Sequence, residues 1–310
     1  MRRILEPQQI ESAGKRSLQR VRLPDPAHLF ARRARRLHQL SGGHALGDYL
    51  QLMGDLAQAQ QAALAVAQAA GPDSARLARA PTHGLPPLCA AGWPRADGWQ
   101  RLLASLCAAV LAGRERPGSV REVCNRLCCA SSVWIEDQAD TLLAPTPERV
   151  DVAAAPFVMA ALQVYWLAMT SRLSAEDVAG LDAAGPARAG VCPVCGTPPV
   201  ASIVHADERS EGARYLHCAL CASEWHAVRA TCSHCQATRD IAYHSIEGAG
   251  DAVRAESCEH CHVYRKILDQ ERDASVEPVA DDLASLSLDL LMTQAGYHRS
   301  SGNPLLWHSA

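Results

Sequence analysis

Eight of the thirteen cysteines fall into four C-x-x-C pairs: Cys192/Cys195, Cys218/Cys221, Cys232/Cys235 and Cys258/Cys261. Adding 40 to each position of the first two pairs gives the positions of the last two. The chain therefore carries a duplicated unit, C-x2-C-x22-C-x2-C. A two-residue gap lets both thiolates of a pair point to one side of a tight turn, whose backbone N–H groups can donate to the sulfurs. Two facing turns supply four sulfurs in a tetrahedron, at about 2.3 Å from a zinc ion. Consecutive pairing puts Cys192, Cys195, Cys218 and Cys221 on one metal ion and Cys232, Cys235, Cys258 and Cys261 on a second. An interleaved cross-brace is the alternative. The duplication favours the consecutive scheme, because each repeat then carries a complete site.

A tetrahedral S4 set suits zinc or a single iron, and the ligands alone leave that choice open. Cys192-Pro193-Val194-Cys195-Gly196 has the C-P-x-C-G form of a rubredoxin knuckle, and the other three knuckles lack both Pro and Gly. Thioredoxin-like chemistry needs one motif at a helix N-terminus after a strand, which four repeated motifs fit poorly. The histidines of this segment (His205, His217, His226, His234, His244, His260 and His262) are left out, since four thiolates complete each site. Cys124 and Cys128 have chelating i, i+4 spacing on an expected helix. Together with Cys89, Cys107 and Cys129 they are read as small core residues.

The elements that must position these sulfurs follow from periodicity. Each x22 segment is long enough for a β-hairpin: Val200 to His205 with Arg214 to His217, then Ile241 to Ile246 with Ala252 to Ala255. Trp225 and Tyr264 are expected to pack on those hairpins. Residues 1 to 172 read as helical. Leu46 to Ala70 has a clear helical stripe ending at Gly71-Pro72, and a second helix is expected from an Asp97 N-cap to Gly113. Val120 to Leu143 continues in helical style with a break near Ser131-Ser132. Val152 to Met169, interrupted by Gln163 alone, is expected to be the central buried helix of a bundle. Residues 173–190 read as a linker. Residues 191–230 and 231–270 are the two four-cysteine repeats, and 271–310 is a C-terminal helix and tail packing back on the body. In that helix, Pro278 suits the first turn, Asp281 and Asp282 the N-terminal dipole, and Gly296 the position after the end. Val279, Leu283, Leu286 and Leu290 form its expected apolar face. The expected fold class is thus α+β and multi-domain: a mainly helical N-terminal domain, two tandem rubredoxin-like or zinc-ribbon domains, and a C-terminal helix.

Composition narrows the function classes. The 310 residues are 48% hydrophobic and 20% charged, which excludes wholesale disorder. The net charge of −3 does not suggest a nucleic-acid binder. Residues 191–270 hold seven Arg or Lys against ten Asp or Glu. Eight thiolates with two divalent ions bring that segment to −7, which should repel phosphates. The first 40 residues run the other way, with ten basic residues (Arg2, Arg3, Lys15, Arg16, Arg20, Arg22, Arg32, Arg33, Arg35, Arg36) against three acidic ones. That excess reads either as a docking arm for an acidic partner or as a solvated helix face beneath Leu29, Phe30, Leu37 and Leu40. No apolar leader follows Met1-Arg2-Arg3, and Val152–Met169 is short for a span. A cytoplasmic protein without stable membrane insertion is expected, where thiols stay reduced and clustered cysteines bind metal. No nucleophile elbow, Walker motif or dinucleotide fingerprint is present, so no enzyme is expected.

The stretch Tyr215-Leu216-His217-Cys218-Ala219-Leu220-Cys221-Ala222-Ser223-Glu224-Trp225-His226, with Val228-Arg229 and the Cys232/Cys235 pair, resembles the formate dehydrogenase accessory (FdhE) family. So do Ala255-Glu256-Ser257-Cys258 with Cys261, Tyr264 and Lys266-Ile267. The resemblance extends to Val279 through Leu286, to Gly296-Tyr297, Arg299-Ser300 and Asn303-Pro304, and to Leu46-Gly47-Asp48-Tyr49-Leu50. It implies a cytoplasmic chaperone that binds the catalytic subunit of respiratory formate dehydrogenase before export. It also implies two rubredoxin-like centres with iron the favoured ion and zinc the alternative. Glu224-Trp225-His226 and the Asp281/Asp282 segment are candidates for partner contact. The competing expectations are a rubredoxin-like electron-transfer or redox-sensing protein and a nucleic-acid-binding zinc ribbon.

Overall fold

The computed structural model describes residues 19–96, 98–144, 149–181, 190–207 and 212–307. Arg2, Arg3, Lys15, Arg16 and the expected N-cap Asp97 lie outside these residues, as do residues 182–189 of the expected linker. In chain order the elements begin with strand β1 (Val21–Arg22) and helices α1 (Leu29–Ser41), α2 (Gly47–Leu64), α3 (Ser74–His83), α4 (Gly98–Ala112), α5 (Gly118–Cys129), α6 (Ser132–Leu143), α7 (Ala155–Thr170) and α8 (Ala175–Val178). Strands β2 (Pro199–Val204), β3 (Arg214–Cys218), β4 (Glu224–Ala227), β5 (Ile241–His244), β6 (Val253–Cys258) and β7 (Val263–Asp269) follow. Helices α9 (Pro278–Ala284) and α10 (Leu286–Gln294) and strand β8 (His298–Arg299) complete the chain. The α+β organisation expected from the sequence is the one observed, a helical first part followed by a sheet that carries the cysteines.

Helix α7 is the axis of the helical part. It is apolar on every side because it is surrounded: α2, α4 and α6 pack on it, and nearly all its residues are buried. Its one strongly polar core residue, Gln163, accepts from Gln60 Nε2 at 3.0 Å and donates to the Ala219 carbonyl at 2.7 Å. Helices α1 and α2 cross closely at Gly54, where a Cβ would meet the His38 ring at 2.3 Å. Helix α2 ends six residues before the expected Ala70. The chain there passes into i+3 turns, and Val66, which would have continued the helix, is 76% exposed. The expected break near Ser131 is real, and the Ser131 hydroxyl accepts from Trp134 N to cap α6.

Each cysteine repeat forms a three-stranded antiparallel ribbon, β2-β3-β4 and β5-β6-β7, rather than a two-stranded hairpin. Strands β4 and β7 are not among the elements that periodicity predicts. The two ribbons are one sheet, because β2 pairs in parallel with β7 through Ser202↔Ile267, Ile203↔Leu268 and Val204↔Asp269. Strand β1 extends the sheet beyond β4, and β8 pairs with the first half of β7.

The C-terminal segment is two helices, not one. Ser285 breaks the run; its hydroxyl donates to the Asp281 carbonyl, and it accepts from Lys266 Nζ. The break shifts the helical phase, so Leu288 and Met292 face inward while Leu290, expected on the apolar face, is 66% exposed. Asp281 and Asp282 do more than complement a dipole, since both are buried in ion pairs. Asp281 takes Arg36 at 2.6 Å, and Asp282 sits between Arg299, Lys266 and Asn303. Arg33, 1% exposed, donates to Glu277 Oε1 at 3.0 Å, while Glu277 Oε2 caps α9 by accepting from Val279 N and Ala280 N. Arg33 and Arg36 are therefore neither a docking arm nor a solvated face. They clamp α1 to α9.

The Glu277→Ala substitution leaves Arg33 buried without its counterion and α9 without its cap. We expect a loss of about 3–5 kcal/mol in unfolding free energy at fixed metal loading, read by denaturant titration. A loss below about 1 kcal/mol would mean that water reaches the guanidinium.

Candidate metal centres

The eight sulfurs gather within each repeat. Cys192, Cys195, Cys218 and Cys221 place their Sγ atoms within 4.8 Å of one another, as do Cys232, Cys235, Cys258 and Cys261. No interleaved set forms among the described residues. Sγ separations are 3.6 Å (Cys192–Cys221) and 3.4 Å (Cys195–Cys218) in the first cluster, and 3.8 Å (Cys232–Cys261) and 3.7 Å (Cys235–Cys258) in the second. These distances exclude disulfides, whose sulfurs lie about 2.05 Å apart. They match the edge of a tetrahedron with metal–sulfur bonds of about 2.3 Å, which is about 3.8 Å. The donor set thus fits a tetrahedral zinc or iron ion.

The turns are built alike. The residue after the second cysteine of every knuckle adopts a left-handed backbone: Gly196 (φ 80°), Ala222 (φ 57°), Gln236 (φ 64°) and His262 (φ 53°). In three of them its N–H donates to the first cysteine's carbonyl, at 2.8 Å (Gly196), 3.0 Å (Gln236) and 2.9 Å (His262). Glycine does this without strain, whereas each of the other three gives up about 1–2 kcal/mol. Backbone N–H groups also reach sulfur: Leu220 and Cys221 donate to Cys218 Sγ at 3.4 Å, and His234 and Cys235 donate to Cys232 Sγ at 3.4 and 3.5 Å.

The first cluster belongs to the main core, and two residues of α7 hold it there. Trp166 Nε1 donates to the Leu88 carbonyl at 3.0 Å, and the Leu88 and Ala90 amides donate to the Val194 and Cys195 carbonyls at 2.9 and 2.8 Å. Gln163 holds the other knuckle through Ala219. Burial in this environment pushes the Cys192 and Cys218 thiols well above their ordinary range. Four thiols in contact away from water cannot all ionise unless a cation sits among them. The second cluster lies outside that core, with Cys235 and Cys261 half-exposed.

Trp225 is buried in the main core beside the first ribbon, and Tyr264 is buried with its hydroxyl donating to Asp289. The candidate contact residue Glu224 is an interior group. It accepts from His205 Nε2 at 2.7 Å and His217 Nδ1 at 2.9 Å, beside a cavity of about 170 Å³. Sequence reasoning misses this triad, whose members come from three places in the first repeat: His205 just past β2, His217 on β3 and Glu224 at the start of β4. Burial opposes charge on Glu224, but the bonds from both histidines outweigh it and hold the carboxyl well below 4.5. Burial likewise opposes charge on His205, but Glu224 outweighs it and lifts the imidazole above 6.5. Cys124 is buried and hydrogen-bonded to the buried Cys107, which also contacts Cys128. Among the described residues these thiols do not complete a third metal set, and Cys128 and Cys129 are exposed rather than core residues.

The architecture is of a definite class: a helical body joined to a duplicated four-cysteine ribbon whose halves share one sheet. Three family models cover the chain: FdhE, N-terminal, over 18–182; FdhE, central domain, over 191–229; and FdhE, C-terminal domain, over 230–306. The chain is 42% identical over 308 residues to a protein FdhE homolog of Cronobacter sakazakii and, equally, to protein FdhE of Salmonella paratyphi A, with 98% of this chain and 97% of each relative covered. The crystal structure of the FdhE protein from Pseudomonas aeruginosa matches with a TM-score of 0.79 at 36% identity, covering 93% of this chain and 98% of that one. The chain belongs to the FdhE family. Among its described residues no helix is long and apolar enough to cross a membrane.

Two outcomes are expected. Titration of metal-free protein with Co2+ should develop thiolate-to-metal charge-transfer absorption that saturates near two equivalents; saturation near one would remove a cluster from the ligand count. The Glu224 contribution to stability is present above pH 4.5 and lost as pH falls toward its depressed value. That of His205 is present below 6.5 and lost as pH climbs through its raised value. The stability gap between the native protein and Glu224→Gln should therefore be larger near pH 5.5 than near pH 9. An equal gap would mean that the pair is not ionised.

Proposed function

We propose that this protein is an accessory factor for the maturation of formate dehydrogenase, acting in the cytoplasm on the catalytic subunit before export, and that it is not itself an enzyme. The observation that carries this reading is the match of the whole chain to the FdhE family, with all eight repeat cysteines gathered into two four-sulfur sets. The ligands we assign are Cys192, Cys195, Cys218 and Cys221 for one ion, and Cys232, Cys235, Cys258 and Cys261 for the other. Iron is favoured by the family resemblance, and the S4 donor set equally accepts zinc. We divide the chain into residues 1–172, 173–190, 191–230, 231–270 and 271–310; the junction of the central and C-terminal family models at 229–230 supports the boundary between the two repeats.

Burial in ion pairs takes Asp281 and Asp282 out of the proposed partner contact, and Glu224 is engaged by two histidines. Arg33 and Arg36 are engaged in ion pairs with Glu277 and Asp281, which weakens the nucleic-acid reading that relied on the basic N-terminal stretch. The half-exposed sulfurs of Cys235 and Cys261 favour a second reading, in which a bound iron also exchanges electrons.

Deletion of the gene from its host should abolish formate dehydrogenase activity while the catalytic subunit is still made. Activity should return with the intact gene, and affinity capture of the protein should bring down the catalytic subunit. Full enzyme activity in the deletion strain would overturn the proposal.

A further inference from the structure

The 40-residue repeat permits a position-by-position comparison of the two clusters. Three positions that flank the sulfurs differ in one consistent way. Val194, Leu220 and Ala222 of the first repeat are buried, and their counterparts His234, His260 and His262 in the second are exposed. Each of the three histidines adjoins a ligand cysteine: His234 precedes Cys235, and His260 and His262 flank Cys261. Those two cysteines are the half-exposed members of their cluster, whereas all four sulfurs of the first cluster are buried. Around the first cluster the apolar residues are core, covered by the segment that Trp166 and Gln163 anchor. Around the second, Tyr297 and the His298 backbone lie against His262, yet Cys235 and Cys261 stay half-exposed. An open rim would be served by any polar residue, yet all three positions carry the one neutral side chain that ligates borderline transition cations.

We propose that the second cluster is the metal-exchange port of this protein, with His234, His260 and His262 as its entry ligands, and that the first cluster is a locked structural centre. This rests on the reading that both clusters hold metal. An arriving divalent cation first meets imidazole nitrogen at the rim and then passes to the four sulfurs. Each thiol that takes up the ion gives its proton to water, the imidazoles leave unchanged, and the charge on the ion stays the same throughout.

The test uses full-length protein loaded with two equivalents of zinc, with release followed by a colorimetric zinc chelator. We expect two phases of one equivalent each, separated at least ten-fold in rate. Cys235→Ser should lose the fast equivalent alone. A variant carrying the first-repeat residues, His234→Val with His260→Leu and His262→Ala, should still bind two equivalents but take up and release the fast one several-fold more slowly. Release of both equivalents in one phase, or unchanged rates in the histidine variant, would overturn the proposal even if Cys235→Ser failed to fold. Binding of no zinc at all would instead refute the metal reading on which the proposal stands.

Discussion

Four sulfur ligands can be buried together only around a cation. Ionised without one, they repel and lose their hydration; protonated, they are poor donors packed at contact distance. The first cluster meets this constraint inside the main core, where Cys192, Cys195, Cys218 and Cys221 are all shielded from water. Its two knuckles hang from residues one helical turn apart on α7, one through Trp166 and Leu88 and the other through Gln163 and Ala219. The axis of the helical body and the first ribbon of the sheet therefore meet at the first four-sulfur set. Net binding energies of about 10–16 kcal/mol for structural zinc, which already include desolvation of the ligands, exceed the backbone strain of about 1–2 kcal/mol at Ala222. The same arithmetic makes the position of the sheet on the body a function of metal loading.

The second attachment is ionic and does not involve metal. Arg33 and Arg36 on α1 reach Glu277 and Asp281 on α9, while Lys266 and Arg299 hold Asp282 from the sheet side. Glu277 also caps α9, Asp281 accepts from the Glu277 N–H and Asp282 from the Asn303 amide, so each buried charge has most of its hydrogen-bonding capacity filled. Such pairs specify geometry more than they add stability, because desolvation offsets much of their attraction. One attachment thus depends on metal and the other does not.

The parts of this arrangement that were legible in the sequence are those with a period or a fixed local spacing. The cysteine repeat gave both clusters, and the unbroken apolar run gave α7. Ser131 marked a real helix junction because its hydroxyl caps the next turn. What stayed hidden depends on contacts between distant residues. Strands β4 and β7 carry His, Glu, Arg and Lys at positions that a strand pattern would make apolar, because those side chains are satisfied by partners elsewhere in the fold. The parallel pairing of β2 with β7 leaves no local mark, since it joins segments distant in the chain, such as Ser202 and Ile267. Arg33 and Arg36 look like any surface arginines until α9 folds over them. Leu290 misled because a break at Ser285, fixed by Lys266, rotates the following helix.

The duplication explains why two nearly identical ligand sets can differ in environment. The first ribbon faced a helical body and filled its knuckle positions with Val194 and Leu220; the second faced solvent. On the ligand assignment we propose, metal in the first cluster fastens the sheet to the body. Amide hydrogen exchange, compared between metal-loaded and metal-stripped protein, tests this most directly. Leu88, Ala90 and strands β2 to β4 should lose protection on stripping, while α2 and α4 keep theirs. Equal protection of Leu88 and Ala90 in both forms would contradict it.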